Sequence, residues 1–146
     1  MTTELSSKTI QIINDTADII VGKAPEITTK MYELLFLKYP QIKKLFENQP
    51  DNQFMVLAEA LSLFAVNIKK LDKLKPALEV IAISHVEVNV KAGHYPMIGM
   101  VLLEAMEDVL KEKATVDFMD AWREAYQYLA NVLIDMEAKM YKEIEN

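Results

Sequence analysis

Two groups with chemical potential, a histidine and a glutamate, are turned inward by their helical spacing. His85 lies in ALEVIAISHVEVNV, residues 77 to 90, where Leu78, Ile81, His85 and Val88 follow steps of three, four and three. That places the imidazole, a metal ligand or proton carrier by nature, in the middle of an apolar helical stripe. Near the end of the chain Tyr126, Ala130, Leu133, Glu137, Met140 and Ile144 step by four, three, four, three and four, which puts Glu137 on an apolar seam. A buried carboxylate is costly unless it is paired or hydrogen-bonded, so Glu137 needs a donor from another element. Each residue has a plainer reading on its own. His85 reads as a neutral imidazole satisfied by a backbone carbonyl or hydroxyl. Glu137 reads as a group reaching the helix edge, or the stripe is rotated by one residue, as Asp135 and Met136 permit. Taken together, a buried His–Glu pair is the economical explanation.

A further polar cluster lies earlier in the chain. Tyr32 sits within TTKMYELLFLKYP, and Gln53 heads the stripe Gln53, Leu57, Leu61, Phe64, Ile68. Both can present a hydrogen bond to a pocket, and both read equally as boundary residues whose polar tips reach water.

The elements that must position these groups are helices. Pro25, Pro40, Pro50, Pro76 and Pro96 stand where a helix begins or a preceding one stops. Between them the apolar spacing runs in threes and fours, with little of the alternation that marks strands. This spacing predicts helices over 5–22, 26–39, 41–46, 52–70, 76–91, 96–112 and 116–144, with loops around Asn48 to Asp51 and Lys91 to His94. The expected architecture is all-α, with residues 1–146 forming a single domain.

Composition narrows the function. The 146 residues are 51% hydrophobic and 26% charged with three Gly, which suits one globular helical domain with one sizeable core. The absence of cysteine excludes disulfides, thiolate metal sites, iron–sulfur clusters and thioether attachment of haem. Polar residues interrupt every apolar run, so neither a secretory leader nor a membrane span is expected, and the expected compartment is the cytoplasm. A net charge of −6, with no basic face, argues against a nucleic-acid partner and against stable membrane association. There is no Gly-rich phosphate loop, nucleophile elbow, His-Glu-x-x-His, EF-hand loop or di-iron Glu-x-x-His pair. His85 and His94 are the only histidines, too few for a multi-histidine metal site. Haem, which brings four of its own ligands, needs just one.

The segments TIQIIND, ITTKMYELLFLKYPQIKKLF, VNIKKL, IAISHVEVNVKAGHYPMIG and DAWREAYQYLANVLIDMEAKMY span nearly the whole chain. In them the sequence resembles bacterial single-domain haemoglobins and the globin domain of flavohaemoglobins. The resemblance implies a globin fold, a helical sandwich around a pocket for non-covalent haem b, with His85 as the axial ligand of its iron. It implies that Glu137 and Tyr95 hold the other ring nitrogen of His85, which fixes the tautomer and strengthens donation to the metal. On the opposite side Tyr32 and Gln53 match the distal tyrosine and glutamine and Leu57 the leucine above the ligand. Tyr32, Gln53, Tyr95 and Glu137 are thus the residues on which a reaction would depend. Phe46 matches an aromatic packed on the haem, and Phe36, Ile81, Ile98 and Tyr126 are pocket walls, although such residues at helical spacing are core by default.

Three positions depart from the family pattern. Phe54 follows Gln53 where proline is common, the stretch ENQPDN before Gln53 is shorter than in familiar members, and Ser84 replaces a basic residue that often pairs with a haem propionate. The function implied is binding of O₂ and NO, with O₂-dependent conversion of NO to nitrate and electrons from an external reductase, since no reductase domain is expected within 146 residues. Reversible O₂ binding for delivery, storage or sensing is the alternative. A helical interaction module without cofactor is the third possibility.

Overall fold

The computed structural model describes residues 5–46 and 53–145. Five α-helices carry the fold: α1 (Ser7–Lys38), α2 (Gln53–Val66), α3 (Lys75–Glu87), α4 (Tyr95–Leu110) and α5 (Val116–Glu145). Short 3₁₀ turns at Pro40–Phe46, Leu71–Leu74, Ala92–His94 and Lys111–Lys113 connect them. No strand occurs among the described residues, as the three-and-four spacing predicts.

Several helix ends have local causes. Ser6 caps α1, its Oγ accepting from the Thr9 amide at 3.2 Å. The Ser6 amide and the Thr9 hydroxyl donate to the two Glu124 oxygens at 2.7 and 2.8 Å, fastening the start of α1 to α5. Thr115 accepts from the Phe118 amide at 3.1 Å and caps α5 in the same way. Pro76 stands in the first turn of α3, where its missing N–H removes no helical bond.

The structure corrects the expected break between residues 22 and 26, because α1 runs continuously through Pro25. A proline in a helix interior costs about 3 kcal/mol. Downstream of it, however, Ile27, Met31 and Leu35 are at most 2% exposed. Burying each large apolar side chain is worth about 1.5–3 kcal/mol, so the inward stripe outweighs the proline. Pro25 itself is exposed.

Other boundaries shift for similar local reasons. The segment 41–46 winds as 3₁₀ rather than α. Helix α3 stops at Glu87 rather than residue 91, because Asn89 takes φ 63°. Its amide bonds the Val86 carbonyl at 3.1 Å and the next amide, of Val90, bonds the His85 carbonyl at 2.9 Å, a Schellman closure with Asn in the left-handed position usual for Gly. Residues 91–94 include a 3₁₀ turn in which His94 Nδ1 accepts from the Lys91 amide at 2.9 Å. The expected loop at 48–51 lies outside the described residues.

The core has two parts. Helix α1 packs on α2, α4 and α5, and the main cluster includes Ile13, Ile20, Ile27, Leu35, Phe64, Ala105, Met106 and Phe118. Helix α3 packs on α5, and a smaller cluster of Ala82, Val90, Tyr95, Ala130 and Leu133 forms there. Tyr126 and Leu129 touch both clusters.

Candidate functional site

Glu137 is buried, its side chain 4% exposed, and it projects from α5 to α3 and α4 together. Its Oε2 accepts the Tyr95 hydroxyl at 2.7 Å and lies 3.0 Å from His85 Nδ1. His85 Nδ1 is also 3.1 Å from the Tyr95 oxygen. The carboxylate and imidazole therefore meet, although the His85 side chain is 32% exposed, so the expected buried pair is fully buried only at Glu137; the rotated-stripe reading does not hold for Glu137. The seam frays beyond it: Met140 is half-buried and Ile144 is 70% exposed in the last turns of α5, so the expected stripe ends one turn early.

With the carboxylate ionised and the imidazole neutral, the proton inventory of this triad assigns the tautomer. An ionised carboxylate only accepts. The single Tyr95 proton goes to Glu137, so the hydrogen between His85 and its two partners belongs on Nδ1, shared between the carboxylate and the phenol oxygen. The Nε2 lone pair is then the nitrogen free to ligate a metal. Burial, followed by the hydrogen bond to Glu137, pushes the Tyr95 phenol well above the ordinary tyrosine range and keeps it a neutral donor.

A second tyrosine braces the first. Tyr126 donates its hydroxyl to the Tyr95 carbonyl at 2.7 Å, and burial raises its pKa as well. The ring presses on Gly99, where a Cβ would stand 2.5 Å from Tyr126 Cε2. The glycine of HYPMIG is therefore required by close approach of the ring, not by an unusual backbone angle.

The remaining candidates separate between the two clusters. Tyr32 and Phe36 stand one turn apart on α1 with ring centroids 5.9 Å apart, and with Leu57 and Ile98 they flank the main core. Ile81 belongs with the smaller cluster, and Tyr126 with both. All six are only partly buried although their neighbours Ile27, Met31, Leu35 and Ala82 are at most 2% exposed. The Phe46 and Gln53 side chains lie outside the described residues, as does that of Phe54. Ser84 is exposed on α3.

These features fit haem. A lone imidazole with Nδ1 engaged is what a macrocycle carrying four nitrogens requires, and inward apolar residues left partly exposed suit a flat hydrophobic face. No group of three or more His, Cys, Asp or Glu able to hold a bare metal ion occurs among the described residues. No helix among them is long and apolar enough to cross a membrane.

Tyr141 is a participant that the sequence reading passed over. It lies four residues after Glu137 on α5 and donates its hydroxyl to the Val90 carbonyl at 2.6 Å. Its signal was the i, i+4 spacing from Glu137 on a helix whose stripe was otherwise traced through Met140.

Comparison with known proteins identifies the family. The globin family profile matches residues 29–133. A globin-like protein of Aquifex aeolicus is 43% identical over 95% of this chain and 99% of its own. The flavohemoprotein of Bacillus thuringiensis is 36% identical over 95% of this chain, which spans only 35% of that protein's length. Among solved structures, an engineered carbene transferase from Rhodothermus marinus, described provisionally as a nitric oxide dioxygenase, is 34% identical. It superposes with a TM-score of 0.94 over 98% of this chain and all of its own. A bacterial globin of Campylobacter jejuni gives 0.86 at 32% identity, covering 94% and 99% of the two chains. The flavohemoglobin of Malassezia yamatoensis, solved with bound FAD and heme, gives 0.82 at 25% identity, over 96% of this chain and 38% of that one.

Proposed function

The chain belongs to the globin family, and we propose that it holds haem b non-covalently and converts NO to nitrate at the expense of O₂. When bound, the haem supplies the iron at which the two gases react and the redox change that a reductase must reverse. The observation that carries the proposal is the engagement of His85 Nδ1 by Glu137 at 3.0 Å, by which Nε2 would be the nitrogen to hold the iron.

The residues divide the work. Glu137 and Tyr95 orient the His85 ring, and the carboxylate makes the imidazole a stronger donor, which favours activation of O₂ over simple storage. With haem bound, Tyr32 would offer its phenol as a donor to the gas ligand, to which a polarised O₂ responds more than NO or CO. Gln53 is its proposed companion. With haem bound, Leu57 would limit space over the ligand, and Phe36, Ile81, Ile98 and Tyr126 would wall the pocket and exclude water; Phe46, assigned to the macrocycle by the family resemblance, has its side chain outside the described residues.

Electrons come from a separate reductase in this reading, with the chain acting as a single globin domain in the cytoplasm. The flavohemoproteins it resembles are nearly three times its aligned length, so their activity is carried here only as part of the proposal.

Supplying the haem-loaded chain with NO, O₂ and a flavin reductase tests it. Nitrate should accumulate through many turnovers, and both Tyr32→Phe and Glu137→Gln should slow it. A single rapid oxidation without sustained turnover would leave reversible O₂ binding as the function.

A further inference from the structure

Besides the apolar packing of α5 on α3, Glu137 reaches the element carrying His85 by a side-chain hydrogen bond. Four residues on, and so on the same face of the helix, Tyr141 donates to the Val90 carbonyl at 2.6 Å. Val90 is itself bonded back to the histidine, its amide donating to the His85 carbonyl at 2.9 Å. The Val90 main chain, through its C=O on one side of Cα and its N–H on the other, therefore links the Tyr141 hydroxyl to the His85 main chain in two hydrogen bonds. The segment around it is pinned as well. Asn89 turns the chain at φ 63°, Val90 is 7% exposed, and the Lys91 ammonium sits 3.7 Å over the Tyr141 ring.

We propose that Tyr141 is a positioning residue for His85, acting through the Val90 main chain and setting the direction of the imidazole together with Glu137. An imidazole hydrogen-bonded at Nδ1 alone can still pivot about that bond as its helix end shifts. Its Nε2 direction is fixed only when the main chain is fixed too. Glu137 holds the ring and Tyr141 holds the backbone, so one helix face supplies both constraints. Burial raises the Tyr141 pKa, and the nearby Glu137 charge adds to this, which keeps the phenol a donor. This inference rests on His85 as the axial ligand.

Tyr141→Phe removes the hydroxyl alone. Amide exchange at Val90 should rise about tenfold, the loss expected for one hydrogen bond in a helix-terminal turn. In the ferrous haem-loaded protein the iron–imidazole stretching band should move or broaden, and in the unloaded chain the His85 ring nitrogen shifts should change. Asn89→Ala, which strains the same turn from the other side, should move these signals in the same direction, whereas Asn89→Gly should leave them in place. Faster exchange at Val90 with unmoved ring shifts and an unmoved band would overturn the proposal, reducing Tyr141 to a brace of the turn. If the unmodified chain took up no haem, the axial-ligand reading would fail instead, and the ring shifts of the unloaded chain would still decide whether Tyr141 positions His85.

Discussion

Glu137 Oε2 lies 3.0 Å from His85 Nδ1, joining the last helix to the third across 52 positions of sequence. Tyr95 closes the triangle from the fourth helix with bonds to both partners. Three helices thus meet at one carboxylate oxygen, and losing it should be felt in stability as well as in ligation.

Replacing Glu137 with Leu leaves the Tyr95 hydroxyl buried without its acceptor, a loss of about 1–3 kcal/mol. Glu137→Gln retains an oxygen and should lose less. Adding Tyr95→Phe to Glu137→Leu removes the orphaned hydroxyl and should recover part of the difference. Urea unfolding of the two single variants and the double variant measures the coupling, and strictly additive losses would show that the Tyr95–Glu137 bond carries no energy.

Gly99→Ala should destabilise the chain by about 1–3 kcal/mol through overpacking. The new methyl would stand 2.5 Å from Tyr126 Cε2, and the ring cannot retreat without giving up its 2.7 Å bond to the Tyr95 carbonyl. Shrinking the ring's claim on that space with Tyr126→Leu should make the alanine tolerable. A lowered melting temperature for the single variant, partly restored in the pair, is the expected result.

Alkaline pH should unfold the protein through its buried tyrosines. Tyr95 and Tyr126 both have folded-state pKa values raised above the unfolded one, Tyr95 by burial and then Glu137, Tyr126 by burial. Their contribution is fully present below about pH 10, where unfolded tyrosines begin to ionise, and is lost as pH rises beyond it. Glu124 works in the opposite sense. Its pKa is lowered, first by the Ser6 amide and then by the Thr9 hydroxyl, so its contribution is present above about pH 4 and fades as pH falls. Denaturant midpoints across pH should show Tyr95→Phe flattening the alkaline limb and Glu124→Gln flattening the acid limb. Unchanged slopes would remove these assignments.

Much of the site was legible in the sequence because helical periodicity directly reports which side chains share a face. The inward positions of His85 and Glu137 followed from steps of three and four, and the structure brings those two groups together. Periodicity says nothing about which helix meets which. Tyr95 entered only through a family resemblance, and Tyr141 was missed because its hydroxyl answers a carbonyl of a non-helical turn. Helix ends depart from the sequence expectation where tertiary packing overrides local preference. The buried stripe carries α1 across Pro25, and Asn89 in a left-handed conformation stops α3 four residues early. Ser84 stands exposed where the family often has a basic residue, so whatever anchors the propionate side of a haem is not read from that position.

The account turns on His85 Nε2 as the ligand of haem iron, and the ferrous absorption spectrum of the haem-loaded chain tests it most directly. One haem per chain should give the spectrum of imidazole-ligated iron. His85→Gly should lose that spectrum, and added free imidazole should restore it. An unchanged spectrum in His85→Gly, or no haem uptake by the unmodified chain, would contradict it.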